Sequence, residues 1–152
     1  MSDLRASITI GRPISDVFAF VADARNIPRW HADTAEVLLL SGDGRQAGSR
    51  LVDVIQTGNK GKRTEALIEI TRYEPDRVWA FSAELGSFGG FDGCYRFEVV
   101  PAGTRVTFTE DLRLRGLFRL LRPLVSRQVG QTARANFARL QALLEQPTTA
   151  AG

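Results

Sequence analysis

Hydrophobic and polar positions alternate at the start of the chain. Leu4, Ala6, Ile8 and Ile10 stand against Arg5, Ser7 and Thr9, the period of two of a half-buried strand. Gly11-Arg12-Pro13 breaks the pattern. Pro13 suits the first turn of a helix, and Ser15 and Asp16 suit its positive end. Val17, Phe18 and Val21 form the apolar stripe of that helix, with Phe20 at its margin. The helix ends at Asp23-Ala24-Arg25-Asn26. Asn26 is placed to cap a second short helix, Ile27-Pro28-Arg29-Trp30, again with proline near the start.

The middle of the chain reads as six strands, over residues 35–40, 49–57, 62–73, 78–84, 95–100 and 105–114. Turn residues punctuate them: Ser41-Gly42-Asp43-Gly44, Gly58-Asn59-Lys60-Gly61, Glu74-Pro75-Asp76 and Pro101-Ala102-Gly103-Thr104, sequences rich in residues that tolerate positive φ or preset a turn. Between the fifth and sixth of the seven strands, Gly86-Ser87-Phe88-Gly89-Gly90-Phe91-Asp92-Gly93 reads as a flexible connection whose aromatics could cover a cavity mouth. Strands joined by turns this short run antiparallel, because a parallel crossover needs a dozen residues or more. Residues 116–146 form a closing helix. Pro123 either kinks it or starts its main body after a short turn. Val125, Val129, Ala133, Phe137, Leu140 and Leu144 recur at three- and four-residue spacing, a stripe suited to packing on a sheet. Residues 1–146 read as a single domain without repeats, and 147–152 as a frayed tail.

The 152 residues have the apolar and charged content of a soluble globular protein. No apolar run approaches the roughly 20 residues of a membrane span, and MSDLRAS carries no charged-then-apolar signal pattern. A cytoplasmic protein is expected. Cys94 is the only cysteine, so neither an internal disulfide nor a multi-cysteine metal site is expected. The net charge of +3 hides an asymmetry. Residues 1–111 hold 13 basic against 16 acidic residues, whereas residues 112–144 hold seven arginines and no acid. These are Arg113, Arg115, Arg119, Arg122, Arg127, Arg134 and Arg139. Such a block solvates the outer face of a helix and suits its negative end. Its other reading is a surface for anionic membrane or a partner.

The order strand, two small helices, six-strand meander and long helix resembles the START-like, Bet v 1-like superfamily. Within it, the chain resembles the bacterial polyketide cyclase/dehydrase and lipid-transport group. The residues that carry this are Pro13 with Val17-Phe18, then Asp23, Asn26, Pro28 and Trp30. Gly48, Tyr73-Glu74-Pro75, Gly103-Thr104-Arg105-Val106 and the end of the closing helix follow. The resemblance implies an α+β helix-grip fold, a seven-stranded antiparallel sheet curved around the last helix with an apolar cavity between. A reaction does not follow from it, because such a fold hosts unrelated functions.

On such a sheet Ile68 and Ile70, Trp79 and Phe81, Tyr95 and Phe97, and Phe108 share the concave side by alternation. Together with Phe20, Trp30, Phe88, Phe91, Val125, Gln128, Val129 and Thr132 they are the expected ligand-contacting residues. Gln128 and Thr132 would offer neutral polar groups to carbonyls or hydroxyls. His31 is the only histidine, so any imidazole chemistry must use it. Tyr95 brings a hydroxyl, and Glu110, in phase with Val106 and Phe108, would be an inward carboxyl with a raised pKa. These three are the catalytic candidates.

The expected partner is a small hydrophobic molecule of lipid, polyketide or aromatic type, bound without a cofactor or a metal by a monomer or homodimer. Nucleic acid is not expected. The rival readings are a cyclase/aromatase-like enzyme, and a membrane-surface or partner-binding module using the arginine block.

Overall fold

Residues 3–56 and 63–146 are described by the computed structural model. In chain order they form β1 (Leu4–Ile10), α1 (Ile14–Val21), a 3-10 turn (Ala24–Asn26), α2 (Ile27–Trp30), β2 (Thr34–Ser41), β3 (Arg50–Gln56), β4 (Arg63–Glu74) and β5 (Val78–Glu84). A second 3-10 turn (Gly86–Phe88), β6 (Gly89–Val100), β7 (Gly103–Leu114), a third 3-10 turn (Gly116–Leu121) and α3 (Arg122–Leu144) complete the chain. The expected Gly58–Gly61 turn and the 147–152 tail lie outside the described residues.

Among the described residues, seven strands form one sheet in the order β1-β7-β6-β5-β4-β3-β2, every neighbouring pair antiparallel. Strands β2 to β7 are the meander. β1 joins its far edge against β7, with Ile8 opposite Val106. This is the helix-grip architecture.

Two local expectations are corrected and one open alternative is decided. Asn26 occupies the N-cap position of α2 but its side chain makes no capping bond there; the side-chain cap in this region is Asp23, at the start of the first 3-10 turn. Its Oδ1 accepts from the Arg25 amide at 3.0 Å, while Asn26 Nδ2 donates to the Phe20 carbonyl at 3.1 Å. Of the two readings of Pro123, the second holds: the closing helix proper begins at Arg122 with Pro123 in its first turn, after a separate 3-10 turn. The glycine-rich stretch is mostly strand. After the turn at Gly86–Phe88, β6 runs from Gly89, pairing with β7 along its whole length and with β5 from Gly90 to Arg96. Its glycines serve close approach rather than flexibility. A Cβ on Gly93 would lie 2.5 Å from Phe81 Cζ and 3.0 Å from a Phe108 ring carbon, so the missing side chain is where these rings settle.

Two parts of the chain cover the inner face of the sheet. α1 buries Val17, Phe18 and Val21, and Phe18 sets its ring edge-on to Phe97 at 5.0 Å and to Tyr73 at 5.3 Å. That end of the sheet is solid core. α3 packs along β1, β7 and α2. Phe137 and Leu140 are its buried anchors. Its C-terminal end is pinned to the end of β1: Gln141 Nε2 donates to the Thr9 carbonyl at 2.9 Å, the Gly11 amide donates to Glu145 Oε1 at 2.9 Å, and Arg12 Nη1 donates to the Leu144 carbonyl at 3.2 Å. At its other end Arg122 Nη1 donates to Asp3 Oδ2 at 2.8 Å and to the Leu112 carbonyl at 3.3 Å, and between these two ties the N-terminal half of α3 spans the sheet without close packing. Beneath it the sheet and helix stand apart.

Candidate functional site

The space between the sheet and the N-terminal half of α3 is a cavity of about 460 Å³, within the range that holds a small organic ligand. Strand alternation builds its wall. Ile68 of β4, Trp79 and Phe81 of β5, Phe91 and Tyr95 of β6, and Phe108, Glu110 and Leu112 of β7 all point inward. α2 delivers Trp30, and His31 follows where the helix ends. Val125, Gln128, Val129 and Thr132 of α3 close the opposite side.

The aromatic rings pack on one another rather than filling the space. Tyr95 stacks with Phe108 at 4.5 Å and with Trp79 at 5.5 Å. Trp30 meets Tyr95 edge-on at 5.9 Å and lies parallel to Phe137 at 6.5 Å. The result is a ring-lined wall preformed by its own contacts. At the rim, Phe88 tilts against Phe118 of the third 3-10 turn at 5.1 Å.

Set into this wall are polar groups without partners. Trp30 Nε1, Trp79 Nε1, His31 Nε2, Asp53 Oδ1 and Glu110 Oε2 are all shielded from solvent and make no hydrogen bond. Buried polar atoms normally find a partner, so five on one cavity mark a place for a molecule with oxygen or nitrogen functions. Burial pushes the Glu110 carboxyl up to about 8, with the charges of Asp3 and Asp111 adding to it. Burial likewise raises Asp53 to about 6, against a hydrogen bond from Thr34. His31 goes down to about 4, through burial and then the positive charge of Arg139. The Tyr95 phenol is raised by burial and by the flanking charges of Glu110 and Asp53. At neutral pH the cavity therefore holds a protonated Glu110, a neutral His31 and a largely ionised Asp53. Among the described residues no lysine or arginine lines it, and no three His, Cys, Asp or Glu side chains come together as a metal site.

Twelve of the fifteen residues expected to contact ligand stand on this wall: Trp30, Ile68, Trp79, Phe81, Phe88, Phe91, Tyr95, Phe108, Val125, Gln128, Val129 and Thr132. So do His31 and Glu110. Three do not. Phe97 is taken up by Phe18 in the solid core, and Ile70 is fully buried away from the cavity. Phe20 turns outward beneath the Arg29 guanidinium, 5.1 Å from the ring centroid. Sequence reasoning missed Ile27, Asp33, Thr34, Asp53, Ile55 and Leu85, and on α3 Ala133, Asn136 and Phe137. The signal for Asp53 was present, since it alternates with Leu51 and Ile55 on an apolar strand face.

Comparison with known families places this architecture. The sequence model of the family described as Polyketide cyclase / dehydrase and lipid transport matches residues 1–145. The chain belongs to that family. Among solved structures it is similar to the di-domain ARO/CYC StfQ of the steffimycin biosynthetic pathway, with a TM-score of 0.77 and 11% identity, over 93% of this chain and 50% of that one. It is similar to Ara h 8.0201, with a TM-score of 0.75 and 14% identity over 93% and 95%. A START superfamily protein from Mycobacterium smegmatis gives 0.75 and 14% over 94% and 97%. At these identities the likeness is one of fold, START-like and Bet v 1-like. A comparison with curated protein sequences finds no match. No described helix is long and apolar enough to cross a membrane.

Proposed function

We propose that the protein binds a small, largely apolar molecule carrying oxygen functions in the cavity between the sheet and α3. The observation that carries this is the pairing of an aromatic wall with five buried polar atoms that have no protein partner. Apolar area supplies affinity and the few polar groups fix orientation. Protonated Glu110, the two indole N–H groups and the Gln128 amide suit ligand carbonyls or hydroxyls. A carboxylate or phosphate is disfavoured, because an anion would lie beside Asp53 with no lysine or arginine on the wall.

The test has two parts. Native mass spectrometry of freshly purified protein would reveal a co-purifying small molecule. Titration with N-phenyl-1-naphthylamine, a neutral apolar probe, would quench the fluorescence of Trp30 and Trp79, the only two tryptophans, both on the wall. Absence of a co-purified molecule together with no change in tryptophan emission would refute the proposal.

A second reading, a polyketide cyclase-like or aromatase-like enzyme, is favoured by the convergence of His31, Tyr95 and Glu110 on one cavity. Neutral His31 would accept a proton from the α-carbon of an enolisable ketone while protonated Glu110 or Tyr95 hydrogen-bonds its carbonyl. Deuterium exchange at the α-carbon of a bound aryl methyl ketone tests it. Exchange that is unchanged in His31→Ala, Tyr95→Phe and Glu110→Gln would remove this reading.

A further inference from the structure

Apart from the exposed Leu38, Leu39 and Leu40 of β2, the densest run of exposed bulky apolar side chains lies in the third 3-10 turn and the first turn of α3, beside the cavity. Leu117, Leu120 and Leu124 are 82%, 79% and 67% exposed, and Leu121 and Phe118 are 43% and 37% exposed. Five bulky apolar residues thus stand uncovered within eight positions, where scattered single ones would need no explanation. The patch adjoins the cavity. Phe118 packs on Phe88 of the rim, and Val125, Gln128 and Val129 line both the cavity and a surface groove that Leu121 and Leu124 border.

Charge decides what such a patch meets. It lies within residues 112–144, the stretch with seven arginines and no acid. Arg122 reaches Asp3 at 2.8 Å and Arg115 reaches Glu84 at 3.4 Å. Arg119 and Arg127, which flank the leucines, form no ion pair among the described residues. A second copy seated face to face would set arginine against arginine. An anionic lipid surface would neutralise them while the leucines sink into the acyl boundary. We propose that residues 116–127 dock the mouth of the cavity onto an anionic membrane surface. Cavity and bilayer then exchange an apolar ligand without its crossing open water.

The test is co-sedimentation of the full chain with vesicles of phosphatidylcholine plus phosphatidylglycerol, and with vesicles of phosphatidylcholine alone. Wild type partitions onto the anionic vesicles and not onto the neutral ones. Leu117→Gln with Leu120→Gln lowers that partition by about tenfold for each leucine removed from the apolar boundary. Arg119→Gln with Arg127→Gln lowers it by about fivefold for each arginine. Circular dichroism melting curves of both double variants overlay wild type, because the side chains are exposed. An unchanged partition in the leucine variant would reduce the binding to diffuse charge attraction and overturn the proposal. Equal binding to both vesicle types would overturn it too. So would a homodimer, seen by sedimentation equilibrium, that the leucine variant dissociates. None of these readouts depends on a ligand in the cavity.

Discussion

Asn136 Oδ1 accepts a hydrogen bond from the Ala32 amide at 3.3 Å, and this bond clasps the closing helix to the loop that carries His31. Asn136 is itself buried and lines the cavity. The clasp lies in the C-terminal half of α3, which packs against α2, so it sets how far the helix stands from α2. Asn136→Ala removes the acceptor and leaves the Ala32 amide without a partner. The expected cost is about 1–2 kcal/mol in urea unfolding. Weaker binding of N-phenyl-1-naphthylamine should accompany it. Full stability in the variant would show that water replaces the bond.

Glu110 makes folding depend on pH with a definite sign. Its carboxyl is held up to about 8 in the folded chain against an ordinary value of 4.5. Between those values the folded state keeps a proton that the unfolded state has lost. Its contribution is therefore fully present below pH 4.5 and is lost as pH rises through 8, with a limiting slope of about 1.4 kcal/mol per pH unit. Asp53, raised to about 6, acts with the same sign at lower pH. His31, lowered to about 4, acts oppositely, removing stability as pH falls below 6.5. Glu110→Gln keeps shape and hydrogen-bonding capacity but cannot titrate. Its urea midpoint should stay flat from pH 6.5 to 8 while that of wild type falls. Parallel curves would mean that the Glu110 carboxylate is solvated.

Gly93 makes room for the cavity's back wall. A Cβ there would meet Phe81 at 2.5 Å and Phe108 at 3.0 Å, and both rings line the cavity. In Gly93→Ala the rings must shift or leave their rotamers, a strain of about 1–3 kcal/mol. The displaced Phe81 moves into the cavity. The variant should unfold at lower urea and bind the neutral probe less tightly, with the two losses appearing together.

The fold was legible because its two signals are local. Period-two alternation marks strands such as Leu4–Ile10, and connections of a few residues force antiparallel pairing. The inward strand faces followed from the same alternation, and they brought Trp79, Tyr95 and Phe108 to one wall. How that face divides was not legible. Phe97 and Tyr95 share a phase, yet Phe18 of α1 covers Phe97 while Tyr95 is left facing open space. That outcome depends on where α1 lands, a contact about eighty residues distant in sequence. The glycines of β6 were misleading for a related reason. Glycine permits flexibility, but at Gly93 what matters is the volume it leaves for a ring on the adjacent strand, which only the assembled sheet shows.

Phe81 and Phe97 give the sharpest separation of wall from core. Both are buried aromatic residues on the inner face of the sheet, 8% and 7% exposed. Phe97 is enclosed by α1, so Phe97→Ala leaves an internal void and should cost about 3–5 kcal/mol with little effect on the cavity. Phe81 borders space on one side already, so its removal forfeits fewer contacts and enlarges the cavity instead. Phe81→Ala should cost less than Phe97→Ala in urea unfolding, yet weaken probe binding more. Probe binding is compared without denaturant, where both variants remain folded, with tryptophan emission as the readout. If Phe97→Ala were the variant that lost the probe, the ligand space would have to extend under α1, and the division of the inner face into a solid end and an open end would be wrong.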